Sequence, residues 1–189
     1  TGTLLNFWKR SFSGDRSMIE YNKEILEILL YGNEELDALY GDGSKECMQA
    51  LKKRECGLVG EISDPVTLHL LVSHYNFDDG FEIPEAIIEN KNCCMSTALY
   101  LFYLSEGLDL LLGDREEFLA EEPDYSKNWA RFLLKLEQMI LDGAFSDFKI
   151  QYTPPFSRTD RYCIKKYNLD IPEVFLTEIQ GVCLDKIYI

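Results

Sequence analysis

The chain of 189 residues carries 33 Asp and Glu against 19 Lys and Arg, a formal net charge of −14, with 46% hydrophobic residues. That composition belongs to a globular chain, and the length suits one domain of ordinary size. The acidity argues against nucleic-acid and anionic-membrane binding, both of which need a basic footprint, and admits a basic partner.

The opening residues, Thr1-Gly2-Thr3-Leu4-Leu5-Asn6-Phe7-Trp8, lack a basic region followed by a long apolar run, so no signal peptide is read there. No uninterrupted apolar stretch reaches the ~18 residues that span a bilayer, and a cytoplasmic protein without a membrane partner is expected. Residues 1–16 form an aromatic-basic lead-in expected to pack through Phe7, Trp8 and Phe12. Ser17-Met18-Ile19-Glu20 has the spacing of a capping box, and Met18, Tyr21, Ile25, Ile28 and Leu29 recur at helical spacing up to Gly32. Asn33 caps a short second helix through Tyr40. Ser44 caps a third, with Glu46 early, Lys52-Lys53-Arg54 late and Gly57 as its stop.

Asp64-Pro65 starts a largely buried helix of Val66, Leu68, Leu70, Leu71 and Val72 that ends near Tyr75. His74-Tyr75-Asn76-Phe77-Asp78-Asp79-Gly80-Phe81-Glu82-Ile83-Pro84 then reads as a corner between two helices. Asp-Asp-Gly is turn chemistry, and Pro84-Glu85 opens a short helix stopped at Asn90. Thr97–Ser105 is apolar on nearly all sides, which places it at the middle of a bundle, with Gly107 as its end. After the acidic run 109–124, Ser126 caps a last amphipathic helix with one stripe of Trp129, Phe132, Leu133, Leu136, Met139 and Ile140. Phe148, Ile150 and Tyr152 alternate with polar residues as a strand does, and Tyr162–Tyr167 and Val182–Ile189 are its candidate partners. The predicted architecture is mainly α: a single-domain helical bundle of about seven helices, with a helical body over 1–143 and a C-terminal extension over 144–189 that carries a small β element.

The acids are unevenly placed. Residues 17–124 hold 24 acids against seven bases, and 61–90 contains Glu61, Asp64, Asp78, Asp79, Glu82, Glu85 and Glu89 with no Lys or Arg. Tyr75, Phe77 and Phe81 interleave with Asp78, Asp79 and Glu82, the composition of a protein-binding hot spot with a charged rim. Those six residues, with Glu85 and with Glu116, Glu117, Glu121, Glu122 and Asp124 of the later run, are the candidate partner-binding set. The other reading of the aromatics is that they anchor the corner as core.

Catalytic and metal signatures are absent from the pattern. His74, Asp78, Asp79 and Glu82 are acceptable ligand types for a hard cation, but their spacing is that of neither a calcium loop nor a zinc helix. There is no Gly-x-Ser-x-Gly elbow and no Gly-rich phosphate loop. The six cysteines, Cys47, Cys56, Cys93, Cys94, Cys163 and Cys183, show no zinc spacing and are expected to be buried, reduced thiols. No catalytic residue, metal or cofactor is assigned.

Tyr75-Asn76-Phe77-Asp78-Asp79-Gly80, Ile83-Pro84, Cys93, Thr97-Ala98-Leu99, Phe102-Tyr103 and Gly107 resemble a small bacterial family known as domain of unknown function 4274, over roughly residues 64–110. The chain departs from that pattern in having Cys94 in place of Asp and Ser96 in place of Gly. The resemblance implies a bacterial protein and supplies no catalytic residues. Small acidic bacterial proteins without catalytic motifs are similar to immunity proteins, which hold a cognate toxin, such as a basic nuclease, by charge complementarity. An immunity protein acting through its acidic surface is therefore the expected function. A metal-dependent hydrolase built on the His74 corner and a structural subunit of a larger complex are the alternatives.

Overall fold

The structure, a computed structural model, describes residues 20–116 and 127–184. It is mainly α-helical and divides into two compact units on either side of Cys93–Cys94. The lead-in with Phe7, Trp8 and Phe12, the Ser17 capping box and the Ser126 cap lie outside the described residues.

The first unit contains α1 (Lys23–Tyr31), α2 (Glu34–Tyr40), α3 (Lys45–Glu61), α4 (Pro65–His74) and α5 (Glu82–Glu89). Helix α1 opens at Asn22, whose side chain accepts the Ile25 amide. Asn33, Ser44 and Asp64 cap α2, α3 and α4, each accepting an amide that would otherwise lack a helical partner. Thr67 joins two of these starts: its buried hydroxyl donates to Asp64 Oδ2 at 2.8 Å and accepts the Asn22 amide at 2.6 Å. That bond seats α1 on α4, where Val66 through Val72 are all buried.

Gly57 does not stop α3. The helix runs through Gly57 and Gly60 to Glu61, because Leu58, Val59 and the following Ile62 are buried there. Burial of three large aliphatic side chains outweighs the ~1 kcal/mol that each helical glycine costs. The end of α3 is closed from a distance. Asn90 Nδ2 donates to the Val59 and Ile62 carbonyls at 2.8 and 3.0 Å, and Asn92 Nδ2 reaches Ile62 at 3.1 Å.

The second unit contains α6 (Met95–Leu104), α7 (Gly107–Leu112), α8 (Lys127–Leu141), α9 (Arg158–Tyr167) and α10 (Glu173–Leu176). As its apolar circumference predicts, α6 is buried over most of its length, packing against α7 and α8, although Leu104 at its end is exposed. Phe132, Leu133, Leu136 and Ile140 of α8 are buried. Gly107 starts α7 rather than merely ending α6; the reversal falls on Glu106, at φ 65°. A Cβ on Gly107 would run into the Phe102 ring, so glycine is required there for packing.

The expected C-terminal β element is corrected by the structure. Among the described residues, Ile150 pairs with Val182 and Tyr152 with Ile179 in isolated bridges, and no sheet forms. Tyr162–Tyr167, a candidate strand in the sequence, is helical within α9. A capping box between Ser157 and Asp160 starts that helix, and Asn168 ends it at φ 51°. The segment is held to α6 by side chains instead: Ser96 Oγ donates to the Ile150 carbonyl at 2.6 Å, and the Tyr103 hydroxyl to the Phe175 carbonyl at 2.6 Å. Rings of Tyr103 and Tyr152 stack at 6.3 Å, and Phe102 meets Phe175 at 4.8 Å.

The cysteines are free thiols, but only Cys93 and Cys94 are buried; Cys47, Cys56 and Cys163 are half-buried and Cys183 is exposed. Among the described residues, no helix is long and apolar enough to cross a membrane.

Candidate functional site: an acidic corner between two helices

The corner is a short, internally tied turn. After α4 the chain makes one 3₁₀ turn, Phe77–Asp79, started by Asn76, whose side chain accepts the Asp78 amide at 3.2 Å. Gly80, at φ 97°, closes it, with its amide donating to the Phe77 carbonyl at 3.2 Å. This positive φ is the conformation that Asp-Asp-Gly requires of its glycine. The Tyr75 hydroxyl then donates to the Gly80 carbonyl at 2.9 Å, a bond across the whole turn.

The aromatics form the inner side of that turn. Tyr75 meets Phe77 edge-on at 5.4 Å, and Phe77 meets Phe81 at 6.0 Å, all three half-buried. They pack on one another and leave part of each ring at the surface. Ile83, Pro84, Ile87 and Ile88 anchor α5 beneath them. The start of α5 differs slightly from the prediction: it begins at Glu82, with Pro84 inside the first turn, where an amide has no helical partner to lose.

Asp78, Asp79 and Glu82 point outward and are exposed, whereas Glu85 is half-buried. Three of the unit's own cations pair elsewhere. Arg54 bridges Glu35 at 2.7 Å and Glu61 at 3.3 Å, Lys52 pairs with Glu55, and Lys23 with Glu27. Among the described residues, Asp78, Asp79 and Glu82 form no ion pair, so the corner holds three uncompensated carboxylates.

Two further residues of this site were not legible from sequence. Glu55 and Cys56 of α3 face the corner through the packing of α3 on α5, and Cys56 Sγ lies 3.6 Å from the Glu82 carbonyl. Their distance along the chain from Tyr75 hides them, and only the tertiary packing brings them in. Burial, and then the charges of Asp79, Glu82 and Glu55, push the Tyr75 hydroxyl well above its ordinary value. Tyr75 is thus a neutral hydrogen-bond donor ringed by negative charge. Burial, and then Glu55, raises the Cys56 thiol as well, so it is not an activated nucleophile.

His74 does not turn into the acids. Its Nδ1 lies 3.0 Å from the Leu70 carbonyl and 2.9 Å from Ser73 Oγ, back along α4. Among the described residues, no group of three or more His, Cys, Asp and Glu side chains is arranged to hold a metal ion. Of the later acidic run, Glu116 is exposed, its amide donating to Asp114 Oδ1 at 2.9 Å. Glu117, Glu121, Glu122 and Asp124 lie outside the described residues. Arg115, in the same run, is drawn to α8, where it grips Glu137 with two bonds of 2.8 and 2.6 Å.

Residues 63–141, which run from the cap of α4 to the end of α8, match the family described as Domain of unknown function (DUF4274). The corner and α6, on which the sequence resemblance rests, both fall inside that match. No curated protein and no solved structure matches the chain significantly.

Proposed function

We propose that the protein is a cytoplasmic bacterial immunity protein that binds a cognate toxin domain and neutralises it, with no catalysis of its own. The observation that supports this reading is the corner itself: Asp78, Asp79 and Glu82 are exposed and without counter-ions among the described residues, on a turn locked by the Tyr75–Gly80 bond. Holding several like charges together costs stability, and a cationic partner relieves that cost on binding. Pre-ordering the turn removes part of the entropy lost on association. Tyr75, Phe77 and Phe81 add apolar area at the centre of the charged patch, as tight protein interfaces do.

A basic nuclease domain, whose phosphate-binding surface is cationic, matches this surface in charge. The test is protection. Cells carrying a toxin domain encoded beside this gene should grow when this protein is co-expressed, and the two should co-purify. Protection should be lost in the Asp78→Lys, Asp79→Lys, Glu82→Lys variant, with the variant still folded by circular dichroism. Full protection by that variant would overturn the assignment of the corner.

A further inference from the structure

The basic counterpart of the corner is carried by the same chain. Helix α9 places Arg158, Arg161 and Lys165 at i, i+3 and i+7, one face of a helix, with Tyr162 between them and Lys166 beside them. The opposite face is the half-buried one, carrying Cys163 and Ile164. Tyr162 and Tyr167 are each 62% exposed, and Lys166 Nζ sits 5.7 and 4.9 Å from their ring centroids. The guanidinium of Arg161 lies 5.9 Å over the buried Phe156 ring, which orders it. Asp160, the acid within α9, is turned to the helix start, where it accepts the Ser157 amide at 2.7 Å. None of the four cations forms an ion pair among the described residues.

We infer that the basic face of α9 docks onto the acidic corner of a second copy of this chain. The inference rests on reading the corner as a surface for cations, and adds that the protein supplies one such surface itself. Charge complementarity commits the occupant: three uncompensated carboxylates on one copy meet three cations spaced over about 10 Å of helix on the other. Tyr162 at the centre of the cationic face adds the aromatic area that anchors interfaces. Repulsion between two chains of net charge −14 is screened beyond about 8 Å at physiological salt, whereas the facing charges act within that distance. Contact between two different faces either extends head to tail or closes reciprocally in a two-fold dimer, and the mass reached at high concentration tells the two apart. A cationic toxin would compete for the corner and dissociate either assembly.

The experiment is sedimentation of the full chain alone. At physiological salt the average mass should rise with concentration above the 21.9 kDa of one chain, and at about 1 M salt it should return to that value. The Arg158→Glu, Arg161→Glu, Lys165→Glu variant and the Asp78→Lys, Asp79→Lys, Glu82→Lys variant should each be monomeric. Mixed, they carry one intact acidic corner and one intact basic helix between them, and their charge-reversed faces also complement each other. Their mixture should therefore associate again at physiological salt, which shows that both variants are folded. A native chain that stays monomeric at every concentration and salt, or a mixture that fails to associate, would overturn the inference. So would a monomeric chain that binds a short single-stranded RNA through α9, because the helix would then serve a polyanion. The α9 variant retains the corner, so toxin protection by it remains a separate test of the proposed function.

Discussion

Gly107 and Gly57 show how differently one residue type can act. At Gly107 a methyl group has no room beside the Phe102 ring, while at Gly57 and Gly60 nothing lies within 4 Å of where a Cβ would stand. Gly107→Ala is expected to destabilise by about 1–3 kcal/mol through overpacking. Gly57→Ala and Gly60→Ala are each expected to stabilise by up to about 1 kcal/mol, since they only relieve the cost of glycine within a helix. Urea unfolding of the three variants checks the opposite signs. His69 gives the corresponding prediction for pH. Burial lowers its imidazole to about 4 from an ordinary 6.5, so the native state holds it neutral while the unfolded chain takes up a proton in between. Its contribution is fully present above pH 6.5 and is lost as pH falls toward 4, by roughly 3 kcal/mol in all. His69→Leu should flatten that part of the stability-against-pH curve relative to the native chain.

At the scale of elements, the starts of α2, α3 and α4 were legible because Asn33, Ser44 and Asp64 act on amides three residues away. The end of α3 was not, because Asn90 and Asn92 close it from about thirty residues further on. Reading part of α9 as a strand gives weight to Tyr162, Cys163 and Ile164 by residue type alone. The Ser157–Asp160 capping box is the stronger local signal. Both departures from the family pattern sit at the start of α6. Cys94 caps it without a side-chain bond to an amide, and Ser96 spends its hydroxyl on Ile150, outside the matched residues. The corner was legible as a turn, with its glycine and its acids, whereas Glu55 and Cys56 needed the fold. The Arg115–Glu137 pair was hidden within an acidic run that suggested only surface charge. Glu137 is 8% exposed, and Arg115→Ala leaves its carboxylate without the guanidinium. A loss of about 1–3 kcal/mol is expected in denaturant unfolding, less than for a fully buried pair because Arg115 itself is half exposed.

For the whole molecule, net charge alone decides little, because a chain of charge −14 can be acidic simply to stay soluble. What matters is where the cations go. Arg54, Lys52 and Lys23 neutralise acids of α1, α2 and α3, and Arg115 neutralises one of α8. The corner receives none of them among the described residues, and α9 keeps its own cations exposed. This separation links the fold to both the proposed toxin binding and the proposed self-association. Its most direct test is the affinity of the chain for a toxin domain against which it protects cells, measured by calorimetry at two salt concentrations. The native chain should bind more weakly as salt rises, and Asp78→Lys, Asp79→Lys, Glu82→Lys should weaken binding by about 100-fold or more and remove most of the salt dependence. Equal affinity and equal salt dependence in the native and reversed chains would contradict the corner as the binding surface.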